Sequence, residues 1–140
     1  MFYLVVVNIV VVLTAVLAHF ESLRLLSWMT SNIGGRTHLK LVLCVCGALV
    51  AHTVEVWLFG FVYFVMQRGG LGGLSGAVDG SLLDCIYFSF TTFTTLGFGD
   101  INPVGAIRYL AALEALTGLV LITWTASFLF VEMEKYWKRY

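Results

Sequence analysis

Hydrophobic residues fall into three long runs along the chain, and polar stretches separate the runs. The runs cover residues 2–20, 41–66 and 104–131. Because a helix of about 20 apolar residues spans the hydrocarbon core of a bilayer, each run predicts a transmembrane helix. The polar stretch at residues 21–40 predicts a short interfacial helix that ends at a break in residues 31–35.

A fourth apolar segment, residues 82–93, is too short to cross a membrane. Ser81 precedes it and Asp84 follows three residues later, which is the pattern of a capping box at a helix start. We therefore expect a helix that enters the membrane and returns, with the partial negative charge of its C-terminal end favouring a cation. Residues 67–80 contain six glycines without periodicity and predict a flexible outer loop.

Composition supports a single domain that lies in a bilayer. Of the 140 residues, 60% are hydrophobic and 11% are charged, which is far from the usage of soluble proteins. The formal net charge is zero, and no basic tract or phosphate-binding loop predicts a nucleic-acid or nucleotide partner. Cys44, Cys46 and Cys85 lie in apolar segments, so we interpret them as small core residues. The sequence predicts an all-α membrane protein with no cofactor.

Residues 94–100 read Thr-Thr-Leu-Gly-Phe-Gly-Asp, directly after the short helix. Consecutive backbone carbonyl groups can surround a dehydrated cation only if the residues adopt alternating dihedral angles, which strain ordinary L-residues. Gly97 and Gly99 reach positive φ at little cost. Thr95 would add a hydroxyl group at the inner end of such a segment, and Asp100 would lie at its outer mouth.

This motif resembles the selectivity-filter signature of tetrameric potassium channels, in the form TTxGFGD. The resemblance implies potassium as the permeant ion, held by backbone carbonyls, with no enzymatic activity. A single chain offers one carbonyl per level and a coordinating ring needs four, so a homotetramer is expected. The side chains of Leu96 and Phe98 would turn away from the ion path. The implied ion-binding residues are Thr95, Leu96, Gly97, Phe98 and Gly99, with K+ at the first four.

The resemblance covers roughly the last hundred residues and implies a pore domain at residues 41–140. Each subunit would contain three transmembrane helices plus a re-entrant pore helix and a filter. Residues 1–40, a first helix and an interfacial linker, would be additional. The implied parts are the outer helix 41–66, the outer loop 67–80, the pore helix 82–93, the filter 95–99, the inner helix 104–131 and a cytoplasmic tail 132–140.

Basic residues indicate the orientation in the cell membrane. If the pore loop faces outside, six basic residues lie on the inner side and two on the outer side, which obeys the positive-inside rule. The N-terminus is then outside and the C-terminus cytoplasmic. The inner residues are Arg24, Arg36, Lys40, Lys135, Lys138 and Arg139, and the outer ones are Arg68 and Arg108.

Several residues are expected to support the filter. Phe98 replaces the tyrosine that is more frequent in the family, and we expect the Tyr87 hydroxyl to bond Asp100 instead. Thr91 lies where some relatives carry a carboxylate. Glu114 is expected either to hydrogen-bond scaffold backbone around the pore helix or to tune the filter electrostatically. The full support set is Tyr87, Thr91, Thr94, Asp100 and Glu114.

The inner helix carries small and polar residues three or four positions apart. We expect Val120, Thr123 and Ser127 to line a central cavity. Four copies of Trp124 would obstruct that cavity, so this side chain is expected to pack against a neighbouring helix, with an aromatic gate as the alternative. Gly118 is either a hinge, as in related channels, or a small residue that permits close helix approach.

His52 and Glu55 lie three residues apart, on one face of the second helix. Ionisable groups at membrane depth face protein or water. We expect them to bond the first helix through Asn8 or Thr14, with a pH sensor or a metal site as the alternatives. The pair is a weak metal signal, because no further ligand of this kind is recognisable to complete a site.

Two other functions stay open. The first is a non-selective monovalent cation channel, which the intact Gly-Phe-Gly run disfavours. The second is a non-conducting membrane scaffold, or a membrane enzyme that uses His52, Glu55 and Glu114. The gating stimulus is not encoded, since no regularly spaced arginines mark a voltage sensor and the tail is too short for a ligand-binding domain. A regulatory ligand or subunit is compatible with the sequence.

Overall fold

The computed structural model describes residues 2–32 and 37–137. Three helices are long and apolar enough to cross a membrane, and the protein is an all-α membrane protein with one short pair of strands. The described elements are α1 (Phe2–Asn32), α2 (Thr37–Arg68), β1 (Gly72–Gly76), α3 (Leu82–Phe93), β2 (Ile101–Gly105) and α4 (Ile107–Trp137).

The first helix is longer than predicted. Instead of a separate interfacial helix, α1 continues without interruption to Asn32, because its last dozen residues include neither glycine nor proline. Leu23 and Leu26 are buried, and Leu26 packs on Gly47 of α2. This contact extends the apolar face of α1 beyond the first hydrophobic run. The predicted break falls partly on residues 33–36, which lie outside the described residues.

The outer loop is not the flexible segment that its glycines predicted. Part of it forms β1, which pairs antiparallel with β2, so that Gly72 faces Gly105 and Gly76 faces Ile101. A Cβ atom at Gly76 would lie 2.1 Å from the carbonyl oxygen of Asp100. The loop therefore needs glycine for close backbone approach. Its pairing attaches the loop to the segment that follows residues 94–100.

The boundaries of the last helix also differ from the prediction. It begins at Ile107 rather than at residue 104, because the preceding residues pair as β2 and Gly105 adopts a φ of 73°. At the other end α4 runs into the predicted tail. Glu132 is buried there, where it accepts hydrogen bonds from Ser27 Oγ at 3.3 Å and from Lys135 Nζ at 2.5 Å.

The short helix α3 lies against α2 and α4 and begins as predicted. The Oγ atom of Ser81 accepts a hydrogen bond from the Asp84 amide at 3.2 Å, and the Asp84 carboxylate accepts one from the Ser81 amide at 3.3 Å. This confirms the capping box. The inner face of α3 is buried and consists of Cys85, Ile86, Phe88, Ser89, Thr91 and Phe93.

Two glycines allow α3 to approach the long helices closely. A Cβ atom at Gly118 of α4 would lie 2.1 Å from the carbonyl oxygen of Phe93, and one at Gly60 of α2 would lie 2.9 Å from the Cα atom of Ile86. Since α4 is continuous through Gly118, the structure supports the close-approach alternative for this residue. Small residues at helix crossings are the usual means of packing in membranes.

A buried carboxylate joins α3 to both of its neighbours. Glu114 of α4 accepts hydrogen bonds from Ser89 Oγ of α3, at 2.5 Å, and from the hydroxyl group of Tyr63 in α2. All three side chains are fully buried, and the ring of Phe88 packs edge-on against Tyr63 at 5.2 Å. The expected scaffold contact of Glu114 is therefore present, but it reaches side chains rather than backbone.

Replacing Gly118 by alanine should destabilise the protein, although alanine favours helix by about 1 kcal/mol. The new methyl group meets backbone that cannot rotate away, and overpacking of this kind costs about 1–3 kcal/mol. Gly47→Ala is the matched control, because its neighbour is the end of the flexible Leu26 side chain. Melting temperatures in detergent should fall for Gly118→Ala and change little for Gly47→Ala. A Gly118→Ala protein that melts at or above the wild-type temperature would contradict this contact.

Glu114→Ala should destabilise the fold, since it removes the acceptor of the buried Tyr63 hydroxyl, and an unpaired buried group costs about 1–3 kcal/mol. Glu114→Gln keeps an acceptor and should cost less. Tyr63→Phe should lower the melting temperature of the wild type but hardly that of Glu114→Ala, because the bond is already lost. Additive effects of the two substitutions would show that the residues do not act together.

Candidate functional site

Residues 94–100 leave the C-terminal end of α3 through a closed last turn. Thr94 is the C-cap, and both its amide and its Oγ1 donate to the carbonyl of Phe90, at 3.2 and 2.7 Å. The Thr95 amide donates to the carbonyl of Thr92 at 2.9 Å. These bonds use carbonyl groups that a helix end otherwise leaves unpaired. They also set the direction in which the following segment starts.

The backbone of this segment alternates in conformation. φ is positive at Thr95 (57°), Gly97 (52°) and Gly99 (81°), and the residues between them do not have positive φ. Such alternation turns successive N–H groups toward one side and the carbonyl groups toward the other. The Gly97 amide donates to the carbonyl of Thr91 in α3, at 3.1 Å. The amides of Thr95 and Gly97 therefore both face α3.

Thr95 was the conformational feature that sequence reasoning missed. It is the only non-glycine residue with positive φ among the described residues. This conformation is a genuine outlier for a β-branched side chain and persists only where surrounding contacts impose it. Gly97 and Gly99 were predicted from their residue type, but no such signal marks a threonine.

Residues 94–100 are exposed on the side that faces away from α3. Every residue from 94 to 100 is exposed, and the side chains of Leu96 and Phe98 are 60% and 65% exposed. Apart from the adjacent residues, no atom lies within 4 Å of the position that a Cβ atom would take at Gly97 or Gly99. Irregular backbone at membrane depth exists only where protein or water surrounds it. This face therefore requires another chain or a water-filled space.

The outer end of the segment is held by hydrogen bonds to its neighbours. The Tyr87 hydroxyl donates to Asp100 Oδ2 at 2.9 Å, so the expected bond is present. This bond raises the pKa of the Tyr87 hydroxyl. The Ala77 amide donates to the backbone carbonyl of Asp100 at 3.2 Å, which links the outer loop to the same residue.

The other support residues act at different distances. Thr91 contributes its backbone carbonyl to Gly97, whereas its Oγ1 donates to the Phe88 carbonyl within α3, at 2.9 Å. Glu114 bonds side chains of α2 and α3. It reaches the segment through the position of α3.

The predicted cavity residues share one exposed face of α4. Val120, Thr123 and Ser127 are all exposed in the single chain, and both hydroxyl groups donate to carbonyl groups of their own helix. Trp124 packs on α1, with its ring 5.4 Å from that of His19. This confirms the expected packing of Trp124 against a neighbouring helix and leaves the adjacent face of α4 free.

His52 and Glu55 do bond the first helix, but through a residue that was not predicted. The Glu55 carboxylate accepts from Nδ1 of His19 at 2.8 Å and from Nδ1 of His52 at 2.9 Å. The predicted partners were wrong. Asn8 is buried with its Oδ1 unpaired, and Thr14 is exposed and bonds its own helix.

The expectation that no further metal ligand joins this pair was also wrong. His19, His52 and Glu55 bring ligand atoms within 4.8 Å of one another. The sequence conceals this group because 36 residues separate His19 from Glu55. Glu114 bonds a different set of side chains, so the three residues of the enzyme alternative do not form one site.

Comparison with known proteins identifies the family. A family model described as "Ion channel" matches residues 40–135, which is more than half of the chain. Protein LctB of Bacillus caldotenax is 29% identical over 70 residues, and Protein LctB of Geobacillus stearothermophilus is 31% identical over 70 residues. Each match covers 45% of this chain and 52% of the relative.

The chain thus spans about half the length of the curated relatives it matches. No solved structure matches the chain. The residues matched by the family model run from α2 through α3 and residues 94–100 into α4. Because the family model covers more than half of the chain and three helices are long and apolar enough to cross a membrane, the chain is a multi-pass membrane protein that belongs to this ion channel family.

Proposed function

We propose that the protein is a potassium-selective channel that conducts K+ passively through a central fourfold pore. The observation that carries the proposal is the alternation of φ at Thr95, Gly97 and Gly99, on a face that the chain leaves open. The N–H groups turn toward α3, as the bond from Gly97 to Thr91 indicates. The carbonyl groups of Thr95, Leu96, Gly97 and Phe98 are then available to replace the water around a dehydrated ion.

Four chains are needed to complete this site. Each chain supplies one carbonyl group per level, and a closed ring follows from fourfold cyclic symmetry. In such a homotetramer Leu96 and Phe98 become buried between neighbouring chains, which accounts for their exposure in one chain. The face of Val120, Thr123 and Ser127 lines the cavity below the filter. The hydroxyl groups of Thr123 and Ser127 already donate to carbonyl groups of their own helix, so their oxygen atoms face the cavity as acceptors.

Electrostatics favour a cation at both ends of the filter. α3 ends at Phe93, beside residues 94–100, and its C-terminal end carries partial negative charge. At the other end the Asp100 carboxylate is exposed and is oriented by Tyr87. The alternative is a non-selective monovalent cation channel. Reversal potentials that follow sodium as closely as potassium would favour that alternative.

The proposed orientation places residues 67–80 and 101–105 outside, with the N-terminus outside and the C-terminus in the cytoplasm. The charge bias supports it, since six of eight basic residues then lie on the inner side. An odd number of spanning helices supports termini on opposite sides of the membrane.

Gly97→Ala should abolish potassium flux without preventing assembly. Alanine at a φ of 52° is strained, so the carbonyl groups lose their alignment, while no atom within 4 Å obstructs the methyl group. The measurement is potassium flux into liposomes that contain the purified protein, with subunit number determined by cross-linking.

Gly73→Ala is the control for this experiment. Its φ is not positive, and a Cβ atom there meets only the γ carbon of Gln67, at the ordinary contact distance of 4.0 Å. We expect Gly73→Ala to conduct and to form tetramers. Unchanged flux through Gly97→Ala would refute the proposed pore, and a monomeric wild type would refute the assembly.

Tyr87→Phe should make the conducting filter less durable, because it removes the bond that joins α3 to Asp100. Potassium currents during sustained activation should decline several-fold faster than in the wild type. Tyr109→Phe is the matched control, because Tyr109 is an exposed tyrosine of α4, whereas the bond to Asp100 comes from Tyr87. Equal rates of decline for the wild type and Tyr87→Phe would exclude this supporting role.

A further inference from the structure

Three helices bring together a buried polar group, which we call the His–Glu cluster and define as His19, His52, Glu55 and Thr125. His19 belongs to α1, His52 and Glu55 belong to α2, and Thr125 belongs to α4. His19 and Glu55 are 0% and 1% exposed, and His52 is partly buried. Within residues 2–32 and 37–137 it is the one place where three metal-ligating side chains converge.

If both histidines are neutral and Glu55 is a carboxylate, the cluster has one proton too few to satisfy all of its hydrogen-bond acceptors. A carboxylate only accepts, so both histidines donate to Glu55 from Nδ1. Both Nε2 atoms are then acceptors, and both face Thr125 Oγ1, at 3.3 Å for His19 and 3.0 Å for His52. One hydroxyl proton cannot serve two acceptors. A buried lone pair and a net negative charge remain, and both are costly at this depth.

A metal ion at the two Nδ1 atoms resolves this shortage. Coordination through Nδ1 requires the proton of each neutral imidazole to sit on Nε2. Both Nε2 groups then donate to Thr125 Oγ1, which has two lone pairs to accept them. Histidines that bind a metal commonly donate their other N–H group to a fixed oxygen, which sets the ring orientation. Thr125 is placed to perform this role for both rings at once.

We propose that His19, His52 and Glu55 form a site for a transition-metal ion of the Zn²⁺ class, oriented by Thr125. Two imidazoles and a carboxylate are a known ligand set for zinc. Each Glu55 oxygen lies beside one histidine, Oε1 at 2.8 Å from His19 and Oε2 at 2.9 Å from His52. Ligands at zinc distances of 2.0–2.2 Å stand about 3.4 Å apart. The side chains therefore separate by roughly half an ångström to admit the ion.

The surroundings fit a group with net positive charge. One divalent ion and one carboxylate leave a single positive charge, and α3 ends nearby at Phe93, whose ring lies 5.7 Å from His52. The partial negative charge of that helix end offsets the positive group. The ring of Trp124 packs against His19, and the ring of Phe93 packs against His52.

The site would join the additional helix to the channel domain. His19 lies outside the residues that the family model matches, whereas His52, Glu55 and Thr125 lie within them. A bound ion would therefore fix α1 against α2 beside the end of α3. This inference does not rest on potassium conduction, because binding is measured on the purified protein.

The test is zinc titration by calorimetry on the full chain in detergent, after removal of metal with a chelator. All proteins carry Cys46→Ser, since Cys46 is exposed, unlike the core residue that the sequence predicted, and thiolates are zinc ligands. We expect one ion per chain and a higher melting temperature with zinc. Cobalt substitution should give the absorption spectrum of a tetrahedral site. Thr125→Val should weaken binding by about 10- to 100-fold, and Glu55→Gln by more.

His38→Asn is the matched control for His19→Asn, because His38 is an exposed histidine of α2. Zinc affinity should fall with His19→Asn and remain unchanged with His38→Asn. Circular dichroism and gel filtration establish that each variant is folded. Equal binding by the wild type and Glu55→Gln, or no binding by the wild type, would overturn the proposal. The proposal would also be overturned if the melting temperature depended on pH in the wild type but not in Glu55→Gln, and did not change with zinc. An added proton alone would then complete the hydrogen bonds of the cluster.

Discussion

The structure depends on a constraint that the bilayer imposes on irregular backbone, namely that each polar group needs a partner other than lipid. Residues 94–100 are not helical, yet they start from the end of an apolar helix between two membrane-crossing ones. The Gly97 amide is directed toward α3, where it donates to the Thr91 carbonyl. The carbonyl groups of the segment then need a partner on its open side. In the proposed channel that partner is the permeating ion.

The surrounding elements keep this segment in place from three directions. The last turn of α3 sets its start through Thr94. The β1–β2 pairing and the bond from Tyr87 to Asp100 hold its outer end. Glu114 fixes α3 itself by joining it to Tyr63 of α2. A strained conformation such as the positive φ of Thr95 persists only where several contacts impose it. These contacts hold the segment that contains Thr95 at both ends.

Helix association follows the same logic farther from the site. Lipid is as apolar as the helix surfaces, so packing in a membrane relies on close backbone approach and on buried polar bonds. Gly118 and Gly60 supply the close approach on the two sides of α3. Glu114 and Glu55 supply the polar bonds, and each of them connects more than one helix. The additional helix α1 is attached in this way through His19 rather than through hydrophobicity alone.

The sequence by itself determined the features that depend on neighbouring residues. The lengths of the hydrophobic runs indicated three spanning helices and one short helix. The spacing of Ser81 and Asp84 indicated where α3 begins. The motif at residues 94–100 indicated the position of the candidate filter. Helix ends were less certain, since pairing between β1 and β2 moved the start of α4 to Ile107. The glycines of residues 67–80 predicted a flexible loop, but several of them allow close approach to β2, which is distant in the sequence.

Only the tertiary structure decided the contacts between residues far apart in the chain. Composition could not reveal that His19 meets Glu55, nor that Ser89 and Tyr63 share Glu114. Likewise, the positive φ of Thr95 carries no signature in its residue type. Local patterns report periodicity and capping, which involve residues within a few positions. Partner choice among buried polar groups is set by which helix faces meet, and that depends on the packing of the whole chain.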